Sequence, residues 1–173
     1  MILSCLWLAA CGGGGPYGYA RTYQPLRVEK DHFARAQTAP YEEVKRDPNG
    51  YQSADVGWFG VVRALGDLPD GRTRLFLSLR THQERHLCSD ERAASCRVTV
   101  SERDLGPFSA DVTLSDEERL GPDKVWVGSL LKVYGRPTGD YDDEGGPVLN
   151  ASYHRHWPRG TYVTTAQRAG MRR

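Results

Sequence analysis

Alternating apolar residues recur in several short segments between Val56 and Trp157, and turn residues separate these segments. In Val125–Gly135, the longest of them, valines and a leucine occupy every second position over most of the length. A side-chain period of two is that of a β-strand, because successive side chains of a strand point to opposite faces. Turn sequences such as Asp47-Pro48-Asn49-Gly50 punctuate the chain between segments. The pattern therefore predicts a mainly β chain.

The order of the predicted elements narrows the fold further. Ser115 and Glu118 form a capping-box pair, so a short helix begins there. Five strands with a helix between the third and the fourth is the order of an OB-fold, a small Greek-key barrel. We therefore predict an all-β (mainly) fold, a five-stranded OB-like Greek-key barrel with one short helix, in preference to a β-sandwich. The predicted strands are Val56–Arg63, Leu75–Arg80, Val98–Val100, Val125–Gly135 and Val148–Trp157.

Tryptophans in these segments predict where the core lies. Trp58 and Trp126 occupy the two segments with the strongest alternation, so we expect at least one of these indoles to be deeply buried. Trp157 stands beside Pro158 at the end of the last strand. We expect its truncation to cost less stability than that of Trp58.

The N-terminal residues predict where in the cell the protein is located. A short apolar run ends in Leu8-Ala9-Ala10-Cys11 and is followed by Gly12–Gly15. This run resembles the lipobox of bacterial lipoproteins, in which the signal peptide is removed and the new N-terminal Cys carries acyl chains. The alternative is an ordinary N-terminal tail. The lipobox predicts a signal peptide over 1–10 and lipidation at Cys11, with palmitate as one acyl group.

The remaining chain divides into three parts. We predict a flexible tether over 11–40, the barrel domain over 41–165 and a disordered basic tail over 166–173. After residue 10 no apolar run is long enough for a membrane helix. The formal net charge of the whole sequence is +1, which gives no general attraction to nucleic acid.

Two cysteines remain in the predicted mature body, Cys88 and Cys96. In an oxidising compartment such a pair predicts a disulfide that closes a small loop. The same segment also carries His82 and His86, and two His with two Cys form a possible zinc set. The address favours the disulfide over the metal.

Histidines and aromatics on the last strand are the other candidate site residues. His154 and His156 share one face and could bind a metal ion there. The commoner interpretation of such a pair is a polar face exposed to solvent. Tyr153, Arg155 and Trp157 share the other face. On an OB barrel such residues can stack bases or sugars, and the alternative is that the two aromatics belong to the core.

Several of these motifs, taken in order, resemble the Slp family, the starvation-inducible outer-membrane lipoproteins. The motifs are Leu8–Cys11, Pro48-Asn49-Gly50-Tyr51, Gly57–Val62, Leu130–Gly139 and Tyr153–Trp157. The Cys88–Cys96 loop departs from the family pattern, and a segment before the helix is missing. The resemblance implies a lipid-anchored protein of the outer membrane that faces the periplasm.

No complete catalytic motif is present in the sequence: Gly-x-Ser-x-Gly, a Walker lysine loop and His-Glu-x-x-His are all missing. We therefore predict a non-enzymatic envelope lipoprotein without a cofactor or metal, whose barrel binds an envelope protein or a glycan and not nucleic acid. The alternative is a periplasmic metal-dependent hydrolase that uses His82, His86, His154 and His156.

Overall fold

A computed structural model of the chain describes residue 23 and residues 25–83 and 98–166. Three short α-helices lie in this part of the chain: α1 (Lys30–Arg35), α2 (Tyr41–Arg46) and α3 (Asp116–Leu120). The strands are β1 (Val56–Asp67), β2 (Thr73–Arg80), β3 (Val98–Val100), β4 (Pro107–Val112), β5 (Leu130–Tyr141), β6 (Pro147–Trp157) and β7 (Tyr162–Thr164).

Five of these strands close into a barrel in the order β1-β2-β4-β6-β5. Neighbouring strands are antiparallel except β4 and β6, which run parallel, with Ser109 opposite Val148. The helix α3 lies between the third and the fourth barrel strand. This arrangement confirms the predicted OB-like Greek-key barrel with mainly β structure.

The third barrel strand differs from the predicted one. Val98–Val100 forms β3, but β3 pairs with β7 in a separate two-stranded parallel sheet. The third place in the barrel belongs to β4, in which Phe108, Ala110 and Val112 are completely buried. Serine and aspartate alternate with these residues, so the amphipathic pattern of β4 is short and gives a weak sequence signal.

The longest predicted strand begins five residues later than expected. Residues 125–129 form a turn, in which the amide of Trp126 donates to Ser129 Oγ at 3.1 Å and the amide of Ser129 donates to the Trp126 carbonyl at 2.9 Å. Gly128 has a φ of +90°, a conformation that side-chain-bearing residues rarely adopt. Alternation alone did not separate this turn from the strand that follows it.

The barrel interior is one apolar cluster around Trp58. The Trp58 ring meets Phe108 edge-on at 5.4 Å and Tyr41 of α2 at 5.6 Å. Gly60 faces the same interior, where an added Cβ would lie 2.8 Å from the Phe108 ring. Trp58 is 8% exposed, which confirms that at least one of the two expected tryptophans is buried.

A second apolar cluster lies on the outside of β1, β5 and β6. Phe59, Leu130 and Trp157 form it together with Val98 and Val100 of β3. Trp157 is completely buried there, so its exposure gives no reason to expect a smaller contribution to stability than that of Trp58. The end of β6 is buried because the small sheet of β3 and β7 and the N-terminal residues cover it.

The N-terminal residues also differ from the predicted flexible tether. Arg27–Glu29 forms a 3₁₀ turn that leads directly into α1, and Glu29 is completely buried against the barrel. We call Tyr23 and residues 25–36 the strap. Its side chains contact polar and aromatic groups of β5 and β6, which is why this part of the predicted tether is docked.

Other sequence predictions lie outside the described residues. These are the signal peptide over 1–10, Cys11, His86, Cys88, Cys96 and the tail after residue 166. None of the helices in the described part of the chain is long and apolar enough to cross a membrane.

Candidate functional site

The three residues predicted as a binding face on β6 lie beneath the strap. Arg155 is 5% exposed and Trp157 is completely buried, while Tyr153 is partly exposed. The guanidinium of Arg155 lies over the Trp157 ring, 4.5 Å from its centroid. The aromatic residues therefore belong to the covered outer face, and only Tyr153 reaches solvent.

Glu29 of the strap is the centre of a buried hydrogen-bond network on this face. The hydroxyls of Tyr134 and Tyr23 both donate to Glu29 Oε1, the first at 2.6 Å. The Leu26 amide donates to Oε2 at 2.9 Å, and Arg155 Nη1 lies 3.4 Å from the same oxygen. Burial and the bond to Glu29 raise the pKa of the Tyr134 hydroxyl, so it stays a donor. The network keeps a fully buried carboxylate satisfied.

Lys132 completes the covered face and stands among four aromatic rings. Its Nζ lies 4.0 Å from the Tyr23 ring centroid and 4.6 Å from that of Phe59. Phe33 and Tyr134 provide the other two rings, at 5.1 and 5.3 Å. Burial lowers the pKa of Lys132 to about 8, although the ring faces favour the charged form. Two of the four rings belong to the strap, so the lysine joins the strap to the barrel.

His154 and His156, proposed above as metal ligands, have separate partners. His154 Nε2 lies 2.7 Å from Glu118 Oε1, and His156 Nε2 lies 3.1 Å from Ser129 Oγ. Burial raises the pKa of Glu118, but hydrogen bonds from His154 and Ser115 outweigh this effect and lower the pKa to about 2. Burial lowers the pKa of His156 to about 4, so its ring is neutral at pH 7.

The described histidines of the alternative hydrolase lie on two different faces and do not form one cluster. His82 stacks on Phe59, with ring centroids 5.6 Å apart, on the outer face that the strap covers. His154 and His156 alternate with Arg155 along β6 and therefore point away from that face. Within residues 23, 25–83 and 98–166, no three His, Cys, Asp or Glu side chains are grouped to hold a metal ion.

An open groove lies at the end of the barrel beside α3. It has a volume of about 520 Å³, within the usual size range of small-ligand sites. Trp126 borders it and is 58% exposed, held by the turn at 125–129. The rest of its lining combines apolar and polar side chains: Leu65, Gly66, Asp67, Thr73, Leu114, Arg119, Leu120 and Val125.

Asp67 and Arg119 are the charged side chains of the groove lining. Arg119 is fixed by a bond from Nη2 to the Gly71 carbonyl at 2.7 Å. Asp67 is exposed, and its carboxylate makes no hydrogen bond to the described residues. Lys124 lies over the Trp126 ring at 4.9 Å. An exposed indole with carboxylate and guanidinium groups around it can stack on a flat apolar surface and bind hydroxyls at the same time.

No family model matches the chain, and no curated protein matches it. Among solved structures, the chain is similar to a small single-stranded DNA-binding protein from Streptomyces coelicolor. The two sequences are 19% identical, the similarity covers 60% of this chain and 93% of the other, and the TM-score is 0.33.

Proposed function

We propose that the chain is a lipid-anchored protein of the bacterial envelope, of the Slp type, whose barrel is a non-enzymatic binding domain. The Leu8-Ala9-Ala10-Cys11 motif supports the anchor. Two or three acyl chains on Cys11 hold a protein stably, since each buried CH₂ contributes about 0.8 kcal/mol. We place the protein in the outer membrane, facing the periplasm.

The anchor is tested by Cys11→Ala in the native host. We expect wild-type protein to take up labelled palmitate and to sediment with membranes, and the variant to do neither. Cys5→Ala is the matched control, because it removes a thiol from the predicted signal peptide and leaves the lipobox intact. Membrane sedimentation of Cys11→Ala, together with no palmitate label on wild type, would disprove the anchor.

The proposed location faces the periplasm, an oxidising compartment, and this also supports a Cys88–Cys96 disulfide, which remains a prediction. Peptide mapping of the mature protein without reductant should yield the two cysteine peptides linked to each other. Two free thiols with one zinc ion per chain would instead support the metal set of the alternative hydrolase.

Of the two predicted kinds of partner, an envelope protein or a glycan, the groove at Trp126 favours a glycan. A pyranose ring has an apolar face that stacks on an indole and hydroxyls that pair with carboxylate and guanidinium groups. The groove lining carries one carboxylate, Asp67, and one guanidinium, Arg119, so its charges are balanced, whereas a nucleic-acid site is strongly cationic. The exposed Trp126, on a turn closed by two hydrogen bonds, is the observation that carries this proposal.

Binding is measured by titrating the purified protein with soluble peptidoglycan fragments and recording tryptophan fluorescence. Trp126 is the exposed indole among the described residues, whereas Trp58 and Trp157 are buried, so the ligand-induced change should come from it. The variants lack the reporting indole, so their binding is measured by isothermal titration calorimetry. We expect Trp126→Ala to abolish binding and Trp126→Phe to retain part of it. A single-stranded DNA oligonucleotide is the comparison ligand. DNA binding that survives Trp126→Ala would count against the groove.

A further inference from the structure

Among the described residues, the covered outer face carries two buried cations and one buried carboxylate. Lys132 and Arg155, at 7% and 5% exposure, are both buried there, and Glu29 is the one carboxylate among the described residues of the network. Buried cations are costly unless an anion compensates them. Lys132 Nζ makes no hydrogen bond to any described residue and is surrounded by rings. The barrel side of this face therefore favours an occupant that combines acidic and aromatic groups.

The strap fills this face through inserted side chains. Glu29 enters the hydrogen-bond network, and Tyr23 and Phe33 pack on Lys132. In the described residues no backbone hydrogen bond joins residues 25–36 to the barrel, and the first such bond is from Gln37 to the Asp55 carbonyl at 2.6 Å. The strap is thus a short peptide docked by its side chains rather than a strand of the sheet.

The strap has little structure of its own to hold it in place. The helix α1 has six residues, well below the length at which an isolated helix is stable in water. Leu26, Val28 and Phe33 remain 40–69% exposed in the docked strap. Its position therefore depends on a few contacts, and those contacts are separate from the barrel interior.

We propose that the outer face of β1, β5 and β6 is a receptor site for an acidic, aromatic peptide segment. The strap of the same chain fills this site, and the strap of a second copy can fill it by exchange. Tyr134 and Arg155 bind the carboxylate, and Lys132, Phe59 and Trp157 contact the aromatic side chains. Exchange keeps every strap contact and changes only the molecule that supplies it. The proposal does not depend on the lipid anchor.

The test weakens the cis strap and offers the segment in trans. Glu29→Lys in the full chain places a third cation beside Lys132 and Arg155 and releases the strap. The probe is a fluorescein-labelled peptide of residues 22–37, followed by anisotropy. We expect this peptide to bind Glu29→Lys protein at least tenfold more tightly than wild type, because an attached strap competes at high effective concentration. The same peptide carrying Glu29→Gln should bind at least tenfold more weakly.

The matched control is Asp31→Lys, which makes the same charge change at an exposed position of α1. This variant should exclude the peptide as wild type does. Failure of the folded Glu29→Lys protein to bind the peptide, or equal binding of both peptides, overturns the proposal. If Glu29→Lys does not fold, Phe33→Ala replaces it, since Phe33 is 40% exposed. Unfolding of both variants would mean that the strap is an integral part of the fold, and would also overturn the proposal.

Discussion

The two apolar regions of this molecule stabilise it in different ways. The barrel interior is a cluster of aliphatic and aromatic side chains around Trp58 and Phe108. The outer cluster around Phe59 and Trp157 adjoins a network of buried charges, Glu29, Lys132 and Arg155. Burial in the interior depends on shape and volume, whereas burial on the outer face also depends on protonation and on a carboxylate that the strap supplies.

The two regions explain why β1 carries apolar residues on both of its faces. Val56, Trp58 and Val62 point into the barrel, and Phe59 points to the covered outer face. A strand that is covered on both sides shows little polar alternation. We expect the interior to unfold with the whole domain, and the outer face to respond in addition to local changes in the strap.

The largest expected effect tests whether the two regions are equally part of the fold. Trp58→Ala and Trp157→Ala each remove a buried indole and should each lower the free energy of unfolding by about 3–5 kcal/mol. Chemical denaturation followed by far-UV circular dichroism measures both. A loss below about 1 kcal/mol for Trp157→Ala, well under the range for buried aromatics, would show that the outer cluster is peripheral.

A smaller effect is expected from Glu29→Ala, which leaves the Tyr134 hydroxyl and Arg155 without their carboxylate. A buried group that loses its partner costs about 1–3 kcal/mol. Because the strap can detach, we expect hydrogen exchange to rise over the strap while amides of β2 and β4 stay protected. Asp31→Ala, at an exposed position of the same helix, should change neither measurement. Equal loss of protection in β2 would contradict the separation of the two regions.

The pH dependence of stability distinguishes the regions without removing any contact. Burial lowers the pKa of Lys132 from 10.5 to about 8 in the folded protein, so between about pH 8 and 10 the unfolded chain binds more protons. The contribution of Lys132 to stability should therefore rise with pH across this window. Above about pH 10 the contribution of Lys132 levels off and the total stability should fall, because the raised pKa of the Tyr23 and Tyr134 hydroxyls makes the unfolded chain lose protons first.

Lys132→Met checks this assignment. The variant should flatten the pH dependence between pH 8 and 10, and Lys124→Met, at an exposed lysine, should leave it unchanged. Thermal unfolding at half-unit pH steps measures both. An unchanged rise in Lys132→Met would mean that another group causes it.

The parts of the fold that could be predicted are those whose residues form a local sequence pattern. The barrel order was predictable because β1, β2, β5 and β6 carry apolar periodicity and Ser115 and Glu118 mark α3. The strap was not, because Glu29 is buried by partners more than 100 residues away, as in the bond from Tyr134. One signal was available: Lys132 is the charged residue in a run, Leu130–Tyr134, that is otherwise apolar or aromatic on both faces of the strand. A lysine at such a position needs a compensating group, although sequence alone does not name it.

The smallest expected effect on stability belongs to Trp126, the tryptophan that neither apolar region holds. With 58% of its surface exposed, Trp126→Ala removes little buried area and should change the free energy of unfolding by less than about 0.5 kcal/mol, the usual range for surface positions. The turn at 125–129 should survive, because its bonds use the Trp126 backbone and Ser129 Oγ rather than the indole. The same substitution should remove the long-wavelength part of the emission and most of the quenching by acrylamide, since Trp58 and Trp157 are shielded from solvent. A destabilisation as large as that of Trp58→Ala would mean that another part of the molecule covers Trp126 in solution. The indole would then belong to a third packed region, and the groove beside it would lose its role as the glycan site.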